Sequence, residues 1–164
     1  MTDPNPNIRP ATPDEAAALA AVYRSAYRQN RDLGFPAKAE ATTADEVADW
    51  IREYRVFVAK IDAGSIGEDI VGGVRLEATV SNRLKLSRLA VHADWQDEGI
   101  GSRLLSWVEA VAQAEGRDAI WLTTPEEHPF LPAFYRRHGY EKTGEYPLEY
   151  REYDEIVMEK RVSE

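Results

Sequence analysis

The sequence predicts one mixed α/β domain of 164 residues. Three observations indicate this fold class. Apolar residues recur at helical spacing in several segments, and runs rich in β-forming residues alternate with them. Between residues 84 and 124 a strand, a helix and a second strand follow one another. Because such a unit normally joins two parallel strands by a right-handed crossover, we expect a parallel pair within the sheet.

Composition is that of an ordinary globular domain, with 43% hydrophobic and 30% charged residues. No apolar run is long enough for a transmembrane helix, and the first residues lack the regions of a signal peptide, so we expect a cytoplasmic protein. The sequence contains no cysteine. This excludes disulfides, a cysteine nucleophile and thiolate metal sites, and no histidine spacing indicates a metal ion.

The formal net charge is -9, with no basic stripe to offset it. Such a surface repels nucleic acid and anionic membranes, and it would attract a cationic acceptor. The simpler interpretation is that excess acidic residues keep the protein soluble. Charge alone therefore selects no substrate.

The N-terminal half predicts a short edge strand at Ile8-Arg9 and two helices. Residues 1–7 are expected to be flexible. Thr12 and Thr43 are each followed three residues later by a glutamate, Glu15 and Glu46, which is the capping-box pattern of a helix start. Apolar stripes follow each box at helical spacing: Leu19, Val22, Tyr23, Ala26 and Tyr27, then Val47, Trp50, Ile51 and Tyr54.

The remaining elements are mostly strands. We expect strands at 56–59 and 70–76 around a hairpin loop, the second weakened by Gly72 and Gly73. Further strands are expected at 119–124, 140–146 and 153–160. Pro132 is tolerated only in a first helical turn, so a short helix should run from about Leu131 to His138. Glycines at 116 and 139 fit helix ends.

The stretch from Leu84 to Leu105 organises the chain. It begins as an apolar strand, passes through Gln96-Asp-Glu-Gly99-Ile-Gly101, and continues as an amphipathic helix. Two glycines at a helix start allow close backbone approach to a ligand, and the unpaired amides there favour an anion. A glycine-softened helix start without a ligand is the competing interpretation. A dinucleotide fold is excluded, because Leu104 occupies the place of the third glycine.

In the strand half, the apolar residues switch from even to odd positions. Leu84 and Leu86 are at even positions, whereas Leu89 and Val91 are at odd positions. One buried face would then require an extra residue near Ser87-Arg88, a β-bulge beside a binding cleft. A strand buried on both faces is the alternative.

These residues resemble the GNAT N-acetyltransferase superfamily. A strand ending Leu89-Ala90-Val91, then Gln96-x-x-Gly99-x-Gly101 and a helix, is similar to its acetyl-CoA-binding motif, and Phe134-Tyr135 followed by Gly139-Tyr140 is similar to its second signature. The resemblance covers about Ile8 to Val162. It implies a single domain over 1–164 whose mixed, mostly antiparallel sheet has a parallel pair splayed around the cofactor cleft, flanked by helices.

The resemblance also implies site residues. The acetyl-CoA pyrophosphate would be held by the loop, and backbone amides near Leu89 and Val91 would face the acetyl carbonyl and pantetheine arm. The cofactor-binding set is Leu89, Ala90, Val91, Gln96, Asp97, Glu98, Gly99, Ile100, Gly101, Ser102, Arg103, His128 and Tyr135. The family often has Asn where this chain has His128, so that contact departs from the pattern.

Catalysis would need an acid and a base. The resemblance puts the thiolate-facing tyrosine at Tyr135, and a phenol can protonate a departing thiolate. A core tyrosine is the competing interpretation. The base is open between Glu77, Glu126, Glu127 and water, with Glu77 the assigned candidate.

The leading hypothesis is therefore an acetyl-CoA-dependent N-acetyltransferase acting on a primary amine of a small molecule or peptide by direct attack. A non-catalytic acyl-CoA-binding module on the same fold is the alternative, since a fold does not fix function. A purely structural domain is the weakest hypothesis, because both ligand-related signatures are intact. The acceptor and the oligomeric state are open, with a homodimer among the options.

Overall fold

A computed structural model of the chain describes residues 6–62, 68–96, 98–146 and 153–163. Helices and strands follow in the predicted order: β1 (Asn7–Pro10), α1 (Ala16–Asp32), α2 (Ala44–Glu53), β2 (Arg55–Asp62), β3 (Glu68–Thr79), β4 (Arg83–Val91), α3 (Ile100–Ala114), β5 (Ala119–Pro125), α4 (Leu131–Arg137), β6 (Glu141–Tyr146) and β7 (Glu155–Arg161). One-turn 3₁₀ helices add Pro13–Glu15, Lys38–Ala41 and Ala93–Trp95.

The seven strands form one sheet in the order β1-β2-β3-β4-β5-β7-β6. β1 with β2, β2 with β3, β5 with β7 and β6 with β7 are antiparallel pairs. β4 and β5 are parallel, with Arg83–Lys85 opposite Ala119–Trp121. The prediction of a mixed, mostly antiparallel sheet with one parallel pair is thus confirmed. Among the helices of the described ranges, none is long and apolar enough to cross a membrane.

The chain divides into two compact units. Unit 1 comprises Met1–Leu76 and Arg88–Val108, and unit 2 comprises Glu77–Ser87 and Glu109–Glu164. β3 and β4 therefore each contribute residues to both units.

The core of unit 1 is formed where α1 and α2 pack on the sheet. Its buried members are Ala16, Leu19, Ala20, Val22, Tyr23, Ala26, Val47, Val56, Val58 and Ala90. The predicted apolar face of α1 is confirmed, except that Tyr27 is only half-buried. At the start of α2 the capping box forms, with the Glu46 amide donating to Thr43 Oγ1 at 3.2 Å and the Thr43 amide to Glu46 Oε1 at 3.2 Å.

Two glycines in β3 let helices approach the sheet closely. A Cβ on Gly73 would lie 2.4 Å from Leu19 Cδ1, and one on Gly72 would lie 3.1 Å from both the Ala90 carbonyl oxygen and Leu104 Cδ1. From the sequence, this pair of glycines is expected to weaken the strand. The structure gives them a packing role, because any side chain there would collide with α1 or α3.

Unit 2 is built on β5, β7 and β6 with the first half of β4. Its charged side chains pair with one another. Arg83 Nη1 lies 2.7 Å from Glu159 Oε1, and Glu109 accepts hydrogen bonds from Tyr140 Oη and Lys160 Nζ, each at 3.0 Å. Gly116 and Gly139 have φ of 72° and 93°, which fits the predicted helix ends.

β4 is irregular at one of the two residues where a bulge is predicted. Arg88 has φ of 53°, in the left-handed region that non-glycine residues rarely adopt. The predicted change of parity is wrong, however. Leu84, Leu86 and Ala90 are buried, while Leu89 and Val91 are half-buried. The left-handed residue bends the strand, and Ala90 rather than its neighbours reaches the core.

Candidate active site

The start of α3 is a glycine-led turn in unit 1. Gly99 has φ of 79°, a conformation that a residue with a Cβ rarely adopts. The Arg103 amide donates to the Gly99 carbonyl at 3.1 Å, which closes the first helical turn. The amides before Arg103 have no carbonyl one turn earlier within the helix, and the positive end of the helix dipole lies beside them. This geometry suits an anion such as a pyrophosphate.

Side chains around this turn are divided between core and surface. Ile100 is buried, so only its backbone is available to a ligand, whereas Glu98 and Arg103 are exposed and Gly101 and Ser102 are half-buried. Asp97, one of the predicted cofactor-binding residues, lies outside the described residues.

The end of β4 is tied to the same turn. Gln96 Nε2 donates to the Val91 carbonyl at 3.2 Å, and the His92 amide donates to the Val71 carbonyl at 2.8 Å. Gln96 thus fixes the loop to the strand end. The end of β4 and the glycine turn are therefore joined within unit 1.

His128 caps α4 in unit 2. Its Nδ1 accepts hydrogen bonds from the Phe130 and Leu131 amides, each at 3.2 Å, and the residue is only 4% exposed. Burial lowers the pKa of His128 to about 4, so the imidazole is neutral at pH 7 with its proton on Nε2. The cap fixes the start of the helix that carries Tyr135.

Tyr135 lies in α4 with 6% of its surface exposed. Its ring is edge-on to those of Phe134 and Tyr140, at centroid distances of 5.2 and 5.8 Å. The Tyr140 hydroxyl donates to Glu109, and burial together with that carboxylate raises the pKa of Tyr140 far above its usual range. Tyr140 is therefore committed to a structural hydrogen bond.

The three glutamates named as candidate bases differ in their surroundings. Glu77 is half-buried on β3, in the part of that strand that belongs to unit 2. Glu126 Oε2 accepts from Lys142 Nζ at 2.8 Å, and Glu127 is exposed. Of the three, Glu126 is thus engaged in an ion pair with Lys142. No group of three metal-binding side chains converges within the described ranges.

Several polar residues that the sequence analysis missed are buried in the two units. Thr124, at the end of β5, has a buried hydroxyl without a hydrogen-bond partner in the described part of the chain, and so do Tyr23 Oη and Arg88 Nε of unit 1. The bulge predicted at Ser87-Arg88 was the one sequence signal near Arg88. A buried polar atom without a partner has no sequence signature, because it depends on what surrounds it.

Comparisons with known proteins identify the family of the chain. Residues 52–142 match the family model described as an acetyltransferase (GNAT) domain. S-(2-succino)cysteine N-acetyltransferase of Bacillus subtilis (strain 168) is 28% identical, over 87% of this chain and 88% of that protein. The tRNA(Met) cytidine acetyltransferase TmcA of Aeropyrum pernix is 31% identical, over 93% of this chain but 19% of that protein.

Among solved structures, the PaiA N-acetyltransferase of Thermoplasma acidophilum in complex with coenzyme A has the same fold. Its TM-score is 0.79 at 17% identity, over 98% of this chain and 99% of that chain. The family model spans more than half of the sequence and contains the glycine turn. The chain therefore belongs to the GNAT family and is an acetyl-CoA-dependent N-acetyltransferase.

Proposed function

We propose that this enzyme acetylates a primary amine of a small molecule or peptide by direct attack on acetyl-CoA. The amine nitrogen bonds to the thioester carbonyl carbon, the carbon–sulfur bond breaks, and the sulfur leaves as thiolate. One proton must leave the attacking nitrogen and one must reach the sulfur. Four tasks follow for the protein: hold the pyrophosphate, polarise the carbonyl, accept a proton and donate one.

The observation that carries the proposal is the glycine-led start of α3. Gly99 has a positive φ, and the first helical hydrogen bond runs from the Arg103 amide to the Gly99 carbonyl. Backbone amides there bind phosphate oxygens through conformation and dipole rather than through side-chain charge. The acidic neighbour Glu98 is therefore compatible with the role, and the exposed Arg103 can contact a phosphate.

The segment Leu89–Val91 is proposed to polarise the acetyl carbonyl. The left-handed conformation of Arg88 changes the direction of the chain just before this segment, which can direct backbone amides toward a ligand. Gln96 supports this geometry through its bond to the Val91 carbonyl. Amides held in position before the reaction stabilise the oxyanion as it forms.

Tyr135 is proposed as the general acid. Supporting this role, its helix is fixed at one end by the neutral His128 cap and at the other by the Tyr140 amide, which donates to the Tyr135 carbonyl at 3.0 Å. A tyrosine held in this way can keep its hydroxyl directed at a leaving sulfur. Glu77 is proposed as the base, since it is half-buried and Glu126 is engaged by Lys142.

The relatives suggest two kinds of acceptor. By their names, one acts on S-(2-succino)cysteine and the other on a cytidine of tRNA(Met). The net charge of -9 opposes binding of a polyanionic RNA. This chain also matches only 19% of the tRNA enzyme. We therefore favour a small amine acceptor.

Tyr135→Phe tests the proposed chemistry. The change removes one oxygen and little volume, so acetyl-CoA should still bind while single-turnover transfer falls by roughly 10²–10⁴-fold, the usual size of general acid catalysis. The loss should lie in kcat, because the proton is needed only as the thiolate forms. Rapid-quench measurement of acetyl transfer separates this step from product release.

Tyr140→Phe is the matched control, five residues further along. It deletes a hydroxyl bonded to Glu109, so it should lower stability by about 1 kcal/mol while leaving single-turnover transfer near that of the wild type. Full single-turnover activity in Tyr135→Phe would make Tyr135 a core residue and refute its catalytic role. An equal rate loss in both variants would point to a packing defect instead.

A further inference from the structure

Unit 1 contains two arginines stacked on the same tryptophan. Arg75 Cζ lies 4.8 Å and Arg88 Cζ lies 5.5 Å from the centre of the Trp50 ring, and Arg75 Cζ is also 4.7 Å from the centre of the Tyr54 ring. Tyr23 meets the Trp50 ring edge-on at 5.8 Å. We call Tyr23, Trp50, Tyr54, Arg75 and Arg88 the Arg–Trp cluster.

Arg88 has a buried Nε–H that donates no hydrogen bond within the described residues. No carboxylate of those residues forms an ion pair with its guanidinium group. A buried donor without an acceptor costs roughly 1–3 kcal/mol. Arg88 also has the positive φ that bends β4. Strained residues of this kind concentrate at ligand sites.

The Tyr23 hydroxyl is a second polar group of the cluster without a partner. Tyr23 is fully buried, and its oxygen has no hydrogen-bond partner among the described residues. It is close enough to Arg75 and Arg88 for both charges to act on it, although burial is the larger influence and raises the pKa of Tyr23. The hydroxyl therefore remains protonated and adds a donor beside the two guanidinium groups.

The chemistry of the cluster fits a carboxylate. Guanidinium groups present paired N–H donors in a planar fork that matches two carboxylate oxygens. Stacking on Trp50 holds the Arg88 fork in place, and its Nε has no hydrogen-bond partner among the described residues. Trp50, Tyr54, Arg75 and Arg88 are all half-buried, so each retains some contact with solvent.

We propose that the Arg–Trp cluster binds a carboxylate of the acceptor, so that the acceptor is an amine that also carries a carboxylate, as a free amino acid does. The inference rests on the proposed function. Arg88 immediately precedes Leu89, the start of the segment proposed to hold the acetyl carbonyl, whereas the pyrophosphate is assigned to the start of α3. A carboxylate held by Arg88 therefore belongs to the molecule that is acetylated.

This assignment sharpens the expectation drawn from net charge. An overall charge of -9 attracts the ammonium group of an acceptor over long range. Arg75 and Arg88 on one tryptophan place positive charge locally within that negative field. A zwitterion suits both charges, because its ammonium group is attracted by the acidic surface and its carboxylate is bound by the cluster.

The test uses matched acceptors. Each of a panel of amino acids, dicarboxylic ones included, is compared with the same compound bearing a carboxamide in place of its α-carboxylate. In wild type, CoA release should give kcat/KM values roughly 10- to 100-fold higher for the carboxylates, the effect of hydrogen bonds to a charged group. Arg88→Gln should remove this preference through KM, leaving the carboxamide rates and the acetyl-CoA affinity unchanged.

Arg52→Gln is the control, because Arg52 is an exposed arginine two residues from Trp50 whose partner is Asp49. It should keep the full preference. If Arg88→Gln does not fold, Arg88→Lys retains the charge without the fork and should lose most of the preference.

Equal rates for carboxylates and carboxamides in wild type would overturn the inference while leaving the proposed function intact. An equal loss on both series in Arg88→Gln would also overturn it, because it would make Arg88 a structural residue. If wild type binds acetyl-CoA but acetylates neither series, the small-amine function itself fails and the inference fails with it.

Discussion

Two arginines of β4, Arg83 and Arg88, each lie against a tryptophan, but within the described residues only Arg83 has a carboxylate partner. Arg83 Cζ lies 5.5 Å from the centre of the Trp121 ring and its Nη1 lies 2.7 Å from Glu159. Arg88 Cζ lies 5.5 Å from the centre of the Trp50 ring, and its buried Nε has no partner in the described chain. The arginine–tryptophan pair of unit 2 therefore has a carboxylate partner, whereas that of unit 1 has none among the described residues.

The difference separates two uses of a cation. A guanidinium with its own carboxylate holds strands together and has little reason to bind anything else. A guanidinium on an indole without a carboxylate keeps its donors for a ligand, at a cost in stability. Natural proteins accept such costs at functional sites. We therefore assign a structural role to Arg83 and propose a ligand-binding role for Arg88.

Glu15 is a buried carboxylate of unit 1 that is paired with cations, Arg9 and Lys60. We expect its substitution to lower the free energy of unfolding more than any other proposed substitution. Glu15 accepts hydrogen bonds from Arg9 at 2.5 Å and from the Thr12 amide at 2.9 Å, with Lys60 at 3.2 Å. Burial alone would raise the pKa of its carboxyl, but these donors outweigh burial and lower it to about 2.

The sign of the pH dependence follows. Because the folded pKa lies below the unfolded value near 4.5, the contribution of Glu15 is complete above about pH 4.5 and is lost as pH falls toward 2. The shift corresponds to something on the order of 3 kcal/mol. Urea unfolding should show the advantage of wild type over Glu15→Gln shrinking progressively as pH falls from about 5 toward 2. A constant gap over that range would contradict the ion-pair assignment.

Gly73→Ala tests whether packing holds Tyr23 in the Arg–Trp cluster. The new Cβ would meet Leu19 Cδ1 at 2.4 Å and lie 3.4 Å from Tyr23 Oη. Overpacking of this kind costs about 1–3 kcal/mol. We expect a lower unfolding free energy and a raised acceptor KM, with acetyl-CoA affinity retained.

Gly72→Ala is the matched change on the neighbouring residue. Its Cβ would have contacts of 3.1 Å with the Ala90 carbonyl oxygen and Leu104 Cδ1 and of 3.3 Å with Ile100 Cγ2, which belong to the strand end and the helix that carry the cofactor turn. The smaller overlap should cost less stability, and acetyl-CoA affinity should be the parameter that changes. Identical effects of the two substitutions on both ligands would show that the two sides of β3 are not functionally distinct.

Local rules in the sequence account for most of the fold. Capping boxes at Thr12 and Thr43, apolar spacing in the helices, and the strand–helix–strand unit predict the element order and the parallel pair. The roles of Gly72 and Gly73 could not be predicted, because they depend on how closely α1 and α3 approach β3. The prediction that Leu89 and Val91 face the core is wrong for a related reason. Which residues of β4 are buried depends on the left-handed backbone at Arg88 and not on side-chain hydrophobicity alone.

The candidate site divides in the same way. The glycine turn is predictable because a short motif sets its backbone conformation, and Tyr135 was found through resemblance to a family signature. His128 shows the limit: the helix start at Leu131 was predicted, but a capping role for His128 was not, because histidine is not among the residues preferred at helix N-caps. The Arg–Trp cluster could not be found, because residues from α1, α2, β3 and β4 meet only in the folded chain.

Glu159→Gln carries the smallest expected effect and tests the comparison most directly. The change makes Arg83 resemble Arg88, a guanidinium on an indole without a carboxylate. The paired side chains are 27% and 24% exposed, so the loss should be at most about 1 kcal/mol in thermal or urea unfolding. Trp121 should stay in place, because its Nε1 donates to Thr79 Oγ1 at 2.9 Å and Lys85 Nζ lies 5.0 Å from its ring centre. Acetyl transfer to carboxylate and carboxamide acceptors should match wild type in both KM and kcat. A loss of carboxylate preference like that expected for Arg88→Gln would mean that both ends of β4 act on the acceptor, and the division between a structural and a binding arginine would fail.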